Sequence, residues 1–202
     1  MMIKICGITN AADARQAVEA GAGALGINFW PRSPRFCPVQ SALGFVPSIP
    51  EGVLRVGVFV NESAETIGET CRLLHLDVAQ LHGTCQPPPG VRTWKAIAVD
   101  VKFASAALDD PAHEAFLVDA PAGQLHGGSG RVFDWNLVRG AGRPIVLAGG
   151  LGPDNVARAI ATARPWGVDA CSRLEAAPGI KDHQKVAAFI SAARRATESL
   201  QP

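Results

Sequence analysis

Near the start of the chain stands Met2-Ile3-Lys4-Ile5-Cys6-Gly7, the first example of the segment whose recurrence predicts the fold. It has the length of a β-strand, is apolar except for Lys4, and stops at a glycine. Seven further runs of strand length recur along the chain, and most of them are apolar on both faces, which is typical of buried parallel strands. They are Ala24–Phe29, Arg55–Val60, Val78–Leu81, Thr93–Ala98, Ala115–Asp119, Pro144–Ala148 and Gly167–Cys171.

Helical patterns lie between several of these runs. Asn10, Ser63 and Asp182 can each cap a helix, and Pro153 lies near the start of another. Apolar residues at helical spacing predict the inward faces of these four helices. They are Ala14, Ala17, Val18 and Gly21, then Ile67, Cys71 and Leu74, then Val156 and Ile160, and finally Val186, Phe189, Ile190 and Ala193. The second, fourth and fifth connections show weaker patterns, and Pro87-Pro88-Pro89 leaves room for only a short or broken helix.

Strands that alternate with helices over 202 residues predict an α/β fold, a single-domain (β/α)8 or TIM barrel spanning residues 1–202. An open, doubly wound sheet is the alternative, but eight strands that begin at residue 2 favour closure. No linker or shift in composition divides the chain. In such barrels the chemistry lies at the carboxyl ends of the strands, so candidate site residues are expected there.

Composition narrows the classes of function. Hydrophobic residues make up 48% of the chain and charged residues 18%, which predicts a large core and little disorder. With 19 basic and 18 acidic residues, the charge balance indicates neither a nucleic-acid nor a membrane partner, and it is compatible with a monomer or a homodimer. No apolar run approaches the roughly 18 residues of a transmembrane helix, and the N-terminus lacks a signal-peptide pattern. Five widely spaced cysteines predict free thiols in a reducing, cytoplasmic compartment.

Cys6 and Asp119 are the candidate acid–base residues. Lys4 lies two residues before Cys6, so both side chains face the same way, and a nearby ammonium group would lower the pKa of the thiol. The alternative is that Cys6 fills the core while Lys4 pairs with a carboxylate. Because strand eight neighbours strand one in a closed barrel, Asp169 is predicted to pair with Lys4. Asp119 ends an apolar strand, where burial would raise its pKa toward that of a general acid, or it caps the following loop.

Two glycine-rich loops and two polar side chains are candidates for ligand binding. Gly149-Gly150, after the seventh strand, could bring backbone N–H groups close to an anion or form a tight turn. Gly127-Gly128-Ser129-Gly130 lacks the spacing of a P-loop and is predicted to be a mobile loop over the top face. Arg35 could hold a carboxylate or lie on the surface, and His82 could contact substrate or be structural. His75, His113, His126 and His183 show no metal-ligand spacing, so no metal site is predicted.

Taken in order, the strand ends resemble the phosphoribosylanthranilate isomerase family of tryptophan biosynthesis. The matching motifs run from residue 4 to residue 182, so the resemblance covers nearly the whole chain. Each motif alone is weak, but nine in register are very specific. They are Lys4-Ile5-Cys6-Gly7-Ile8-Thr9, Ser33-Pro34-Arg35, Gly57-Val58-Phe59-Val60-Asn61, Gln80-Leu81-His82-Gly83, Leu117-Val118-Asp119, Gly127-Gly128-Ser129-Gly130 with Phe133-Asp134-Trp135, Leu147-Ala148-Gly149-Gly150-Leu151, Gly167-Val168-Asp169, and Pro178-Gly179-Ile180-Lys181-Asp182.

The resemblance implies an Amadori rearrangement of N-(5-phosphoribosyl)anthranilate to 1-(2-carboxyphenylamino)-1-deoxyribulose 5-phosphate, with neither a metal nor an organic cofactor. Asp119 matches the general acid that protonates the furanose ring oxygen, and Cys6 matches the general base that removes the C2 proton. Arg35 matches the residue that holds the anthranilate carboxylate. The other residues predicted to bind this phosphosugar substrate are Gln80, His82, Gly128, Gly149, Gly150, Ser172 and Arg173.

One segment departs from the family pattern. Where the family usually reads Ser-Ser-Gly-Val-Glu, this chain reads Cys171-Ser172-Arg173-Leu174-Glu175. Arg173 would carry about 1–2 kcal/mol of backbone strain if its φ were positive, or it could bind the phosphate or fill the pocket. A catalytically impaired phosphosugar-binding barrel is therefore one alternative function. Another phosphosugar isomerase or epimerase is a second, although histidine-pathway barrels tend to carry aspartate where this chain has Cys6.

Overall fold

The chain folds as a closed barrel of eight parallel strands, seen in a computed structural model that describes residues 1–121 and 132–200. The strands follow one another in chain order, and β8 pairs with β1 to close the barrel. They are β1 Met2–Cys6, β2 Ala24–Asn28, β3 Leu54–Val60, β4 Val78–His82, β5 Thr93–Ala98, β6 Ala115–Asp119, β7 Ile145–Leu147 and β8 Gly167–Ala170. The predicted (β/α)8 barrel is confirmed, the open sheet is wrong, and no strand end differs from its predicted position by more than one residue.

Helices cover the outside of the barrel, and three of them have the N-caps that the sequence predicts. The side chains of Asn10, Ser63 and Asp182 each accept a hydrogen bond from a backbone N–H of the first turn. Pro153 lies near the start of its helix, as predicted, and Asn155 is the N-cap. The helices are α1 Ala11–Ala20, α2 Val39–Ala42, α3 Ala64–Leu74, α4 Val156–Ala163 and α5 His183–Glu198.

The predicted inward faces of these helices are buried, with two exceptions in α1. Val18 is only half-buried, and Gly21 lies beyond the helix as its C-cap, with a φ of 100°. A left-handed residue ends a helix because its N–H turns back to the last carbonyl groups, so Gly21 terminates α1 rather than packing beneath it. Within the described ranges, no helix is both long enough and apolar enough to cross a membrane.

The connections with weak helical patterns are short or irregular, as predicted. The second contains only α2 and a 3₁₀ helix at Val46–Ser48, and the fifth contains a 3₁₀ helix at Ser105–Leu108. After β8 come a 3₁₀ helix at Ser172–Leu174 and a hairpin of β9 Glu175–Ala177 and β10 Ile180–Lys181. The predicted glycine-rich loop with Gly128, together with His126, lies outside the described residues.

The core explains why the strands are apolar on both faces. Residues such as Ile5 and Phe116 belong to the large cluster that includes the buried faces of the helices. A second cluster lies inside the barrel and includes Trp94 and Leu117. Lys4 and Asp169 are also buried there, nearer the carboxyl ends of β1 and β8. The interior of the barrel therefore contains an apolar cluster and, nearer the carboxyl ends of the strands, two buried charged residues.

Candidate active site

A cavity of about 270 Å³ lies at the carboxyl ends of the strands. Cys6 ends β1 and Asp119 ends β6, so the two candidate acid–base residues enter one cavity from separate strands. Arg173 is not among the lining residues, and Gly128 lies outside the described part of the chain. The predicted site residues that line the cavity are Cys6, Arg35, Gln80, His82, Asp119, Gly149, Gly150 and Ser172.

Lys4 and Asp169 form the ion pair that the sequence predicts. Lys4 Nζ lies 2.8 Å from Asp169 Oδ1, and the lysine is fully buried. The two residues are direct partners in the β1–β8 register. Burial by itself would lower the pKa of Lys4, but attraction to Asp169 and to Cys6 outweighs burial and raises it above its ordinary value. Lys4 therefore stays positively charged inside the barrel.

Cys6 lies in surroundings that favour its thiolate. The neighbouring Cys171 thiol is the largest cause, and with the Lys4 charge it outweighs burial and lowers the pKa of Cys6 to about 6. Cys171 keeps its proton, since its interaction with Cys6 and its burial raise its own pKa well above the ordinary value. The predicted influence of Lys4 is present, but sequence reasoning missed the larger contribution of Cys171. Cys71 behaves instead as a core thiol, because burial raises its pKa to about 11.

Gly26 provides the space that Cys6 and Lys4 occupy. It is the partner of Cys6 in the β1–β2 register. A methyl group added there would lie 2.7 Å from Cys6 Sγ and 2.9 Å from Lys4 Nζ, closer than carbon tolerates. Sequence reasoning missed this role, although a glycine inside a strand often marks the close approach of another group.

Asp119 has the opposite shift. Burial raises the pKa of its carboxyl group to about 7, and repulsion by Asp169 adds to the effect. Within the described residues nothing donates a hydrogen bond to its buried Oδ1. The predicted effect of burial is therefore present, and this oxygen is left to a proton or to a ligand.

Gln80 and His82 form a buried polar pair on the cavity wall. Their Nε2 atoms lie 2.8 Å apart. The two residues share one face of β4 because they are two positions apart, and both line the cavity. With Gln80 Nε2 as the donor, the imidazole accepts at Nε2 and carries its proton on Nδ1. Among residues 1–121 and 132–200, no group of three or more His, Cys, Asp or Glu side chains could hold a metal ion.

Two side chains hold the Gly149-Gly150 turn after β7 by hydrogen bonds to its backbone. Both glycines adopt positive φ, 83° and 61°, which a side chain would oppose. The Gly150 carbonyl accepts hydrogen bonds from Asn155 Nδ2 at 2.9 Å and from Arg173 Nη1 at 3.1 Å. Since the C=O and N–H of one trans peptide point in opposite directions, this arrangement turns the N–H of Leu151 away from both donors.

Arg35 is held by a residue that sequence reasoning missed. Its Nε and Nη2 donate to the two carboxylate oxygens of Glu175, both at 2.8 Å. Its side chain is 14% exposed, so the surface interpretation of Arg35 is wrong. Lys181 Nζ contacts the same carboxylate at 2.9 Å. Glu175 ends the segment that departs from the family pattern and Lys181 stands in a matching motif, but nothing local in the sequence indicated that they meet Arg35.

Comparison with known proteins identifies the family. The family model described as N-(5'phosphoribosyl)anthranilate (PRA) isomerase matches residues 3–192. The chain belongs to this family. The N-(5'-phosphoribosyl)anthranilate isomerase of Solibacter usitatus is 48% identical over 199 residues, which cover 97% of this chain and 98% of that protein. The isomerase of Pseudomonas fluorescens Pf-5 is 43% identical over 205 residues, covering 98% and 97%.

Solved structures of phosphoribosyl anthranilate isomerases share the fold. The structure from Thermotoga maritima superposes with a TM-score of 0.87 at 37% identity and covers 96% of this chain and 99% of that chain. A structure of the isomerase in complex with reduced 1-(o-carboxyphenylamino)-1-deoxyribulose 5-phosphate gives a TM-score of 0.84 at 36% identity, with the same coverage. The likeness therefore extends over nearly the whole barrel.

Membership of the PRA isomerase family bears on the alternatives left open by the sequence. The full-length relatives above are named as PRA isomerases, which argues against a histidine-pathway isomerase or an epimerase. Arg173 does not adopt a positive φ, so the expected backbone strain is absent. Its guanidinium lies 2.9 Å from Asp154, beside the loop rather than on the cavity wall. Strain and pocket filling, two of the three interpretations of Arg173, are therefore wrong.

Proposed function

We propose that this chain isomerises N-(5'-phosphoribosyl)anthranilate by an Amadori rearrangement, with Asp119 as general acid and Cys6 as general base. The observation that carries the proposal is the opposite shift of two groups on one cavity, a thiol with a pKa of about 6 and a carboxyl group with a pKa of about 7. Near neutral pH much of the base is charged while much of the acid keeps its proton. The proposed steps use neither a metal nor an organic cofactor.

The reaction needs one proton delivered and one removed. Asp119 gives its proton to the furanose ring oxygen, the bond from that oxygen to C1 breaks, and the anthranilate nitrogen becomes a protonated Schiff base. Cys6 removes the C2 proton, and the released electron pair neutralises the Schiff base to an enolamine. The enolamine tautomerises to the ketone. One proton is lost and one is gained by the protein, so the substrate keeps its composition, as an isomerisation requires.

The ends of the substrate match the remaining lining groups. Arg35 would hold the anthranilate carboxylate. Gly149, Gly150 and Ser172 would bind the phosphate through backbone N–H groups, which suit an anion when they are not otherwise engaged. The hydrogen bonds of the described residues include none donated by the N–H groups of Gly150 or Ser172. Gln80 and His82 are proposed to contact the sugar, whereas Gly128 remains a sequence-based prediction.

The same proposal covers partners and location. The partner is a small phosphosugar, and a net charge of +1 gives no ground for a nucleic-acid or membrane partner. A relative from Thermotoga maritima is described as monomers of a dimeric isomerase, and either state suits this chain. A cytoplasmic location follows from the biosynthetic role.

A direct assay tests the proposal. The purified chain should consume fluorescent phosphoribosylanthranilate at the same rate with and without a chelator. Cys6→Ser and Asp119→Asn should each lower kcat/KM at least ~100-fold, the lower range for acid–base catalysis. Cys85→Ser, a change to a half-buried thiol outside the cavity, is the control and should leave the rate unchanged. Wild-type turnover in either Cys6→Ser or Asp119→Asn would remove the assigned role.

A further inference from the structure

We propose that Glu175 is a positioning residue that orients Arg35 and thereby makes the site select ligands that carry a carboxylate. This inference rests on the proposed function, in which Arg35 meets the anthranilate carboxylate. Glu175 is 5% exposed and touches Arg35 through both of its oxygens. A bidentate, buried pair of this kind fixes both the place and the plane of a guanidinium group.

The hydrogen bonds of Arg35 divide its guanidinium into two sides. Glu175 accepts from Nε and from one N–H of Nη2. In the part of the chain that the structure describes, no acceptor faces Nη1. Of the five N–H groups of the guanidinium, three therefore remain, two on Nη1 and one on Nη2. That end of the group can receive a second carboxylate in the same bidentate manner.

Lys181 keeps this cluster attractive to an anion. Arg35 and Glu175 alone would cancel in charge, which would weaken the attraction for a carboxylate. The Lys181 side chain is fully buried and lies 2.9 Å from Glu175 Oε1, so the three residues sum to one positive charge. Although burial opposes it, the hydrogen bond from Arg35 and the charge of Lys181 hold the pKa of Glu175 below its ordinary value. Glu175 therefore stays ionised and keeps its grip on Arg35.

The local fold places these groups together. Lys181 stands opposite Glu175 in the β9–β10 hairpin, whose turn contains Gly179 with a φ of 81°. Thr9 anchors this turn, since its hydroxyl donates to the Gly179 carbonyl at 2.6 Å. Gly7 leaves room for the Arg35 stem, because a methyl group there would lie 2.9 Å from Arg35 Cδ. The Arg35 side chain therefore passes over Gly7, just beyond the carboxyl end of β1, to reach Glu175.

Selectivity between two ligands tests the proposal. Titration calorimetry would compare reduced 1-(o-carboxyphenylamino)-1-deoxyribulose 5-phosphate with the same compound lacking the ring carboxylate. Glu175→Asp keeps the charge but is one methylene too short to hold Arg35 through both oxygens. We expect it to weaken binding of the carboxylated ligand about tenfold or more, the value of a charged hydrogen bond, and to leave the other ligand unchanged. Glu114→Asp is the control, because Glu114 holds Arg92 in the same bidentate way on the surface.

Glu175→Gln is a second test, which separates the effect of the Glu175 charge from its role in orienting Arg35. Loss of a negative charge would by itself tighten binding of a carboxylate, whereas loss of orientation weakens it, so the direction distinguishes the two roles. We expect weaker binding and, in the assay, a raised KM with little change in kcat. Equal weakening of both ligands by Glu175→Asp, or tighter binding by Glu175→Gln, would overturn the positioning role. If the wild-type protein binds neither ligand, the proposed function itself fails and this inference with it.

Discussion

The ammonium nitrogen of Lys4 lies 2.8 Å from a carboxylate oxygen of Asp169, across the seam where β8 closes onto β1. A buried ion pair adds little net stability, but each member acts on its neighbours through a medium that screens poorly. Lys4 lowers the pKa of Cys6, whereas Asp169 raises the pKa of both Cys6 and Asp119. The pair therefore influences the pH range in which the thiolate of Cys6 and the protonated carboxyl group of Asp119 are present together.

The first prediction concerns the pH dependence of the wild-type enzyme. We expect kcat/KM to follow a bell, rising near pH 6 as Cys6 loses its proton and falling near pH 7 as Asp119 loses its proton. Because the two groups interact, the limbs report the pair rather than each residue alone. Initial rates at constant ionic strength measure the profile. A rate that is independent of pH across this range would contradict the assignment of both residues.

Asp169→Asn should move the whole profile to lower pH. Removal of this negative charge stabilises the thiolate of Cys6 and the carboxylate of Asp119, so both pKa values fall. The amide oxygen can still accept from Lys4, which limits the cost of leaving that charge buried. Glu114→Gln, a distant change of the same charge, is the control. If only the low-pH limb moved, which reports Cys6, Asp169 would not act on Asp119.

Asp119→Asn should stabilise the fold at alkaline pH while it removes activity. In the folded chain the pKa of Asp119 is raised to about 7, so the neutral form is favoured. The resulting stability is fully present below the unfolded pKa and is lost as the pH rises through the folded pKa. The rise of this pKa from 3.8 to about 7 corresponds to about 4 kcal/mol of stability that the wild type loses, whereas asparagine does not titrate. The Tm of the variant relative to wild type should therefore rise between about pH 4 and about pH 8. If the difference in Tm between the variant and the wild type did not change with pH, burial would not raise the pKa of Asp119.

Gly26→Ala should damage catalysis more than folding. The added methyl group meets Cys6 Sγ and Lys4 Nζ, and overpacking of this kind costs about 1–3 kcal/mol. We expect kcat/KM to fall at least about tenfold, since the thiolate must move. Gly68→Ala is the matched control, because its nearest contact in α3 is an ordinary 3.6 Å from Pro88. That variant should keep full activity and gain about 0.5–1 kcal/mol in urea unfolding.

Arg173→Gly tests the departure from the family pattern. The variant removes one of the two donors to the Gly150 carbonyl and breaks a partly exposed pair with Asp154. Asn155 retains the other donor, so we expect a modest loss, roughly 2- to 10-fold in kcat/KM, carried mainly by KM. Steady-state kinetics with the natural substrate decide the matter. A large gain in kcat/KM would instead mean that Arg173 impairs the barrel.

The sequence predicts the fold well because the signals are local. Runs that are apolar on both faces, such as Ala115–Asp119, define strands without reference to the rest of the chain. Barrel closure then dictates which strand ends converge. The shared location of Cys6 and Asp119 and the pairing of Lys4 with Asp169 can therefore be predicted as well.

Other parts of the site depend on contacts that no local pattern encodes. Arg35 and Glu175 are 140 residues apart and meet only because a hairpin after β8 folds back over β1. The effect of Cys171 on Cys6 likewise depends on side-chain placement just after β8, where Cys171 is the N-cap of a 3₁₀ helix. The sequence contained these residues, but not the geometry that gives them their roles.

The two hydrogen bonds that the Gly150 carbonyl accepts, from Asn155 and from Arg173, have a consequence for ligand affinity. Asn155, buried at 8% exposure, already fixes this peptide before any ligand arrives, and Arg173 adds a second restraint from the solvent side. A loop that is ordered in advance loses less conformational entropy when an anion binds, so the ordering of the loop offsets less of the attraction. We therefore expect the proposed phosphate contacts at this end of the cavity to rely on a backbone that is already ordered in the free protein.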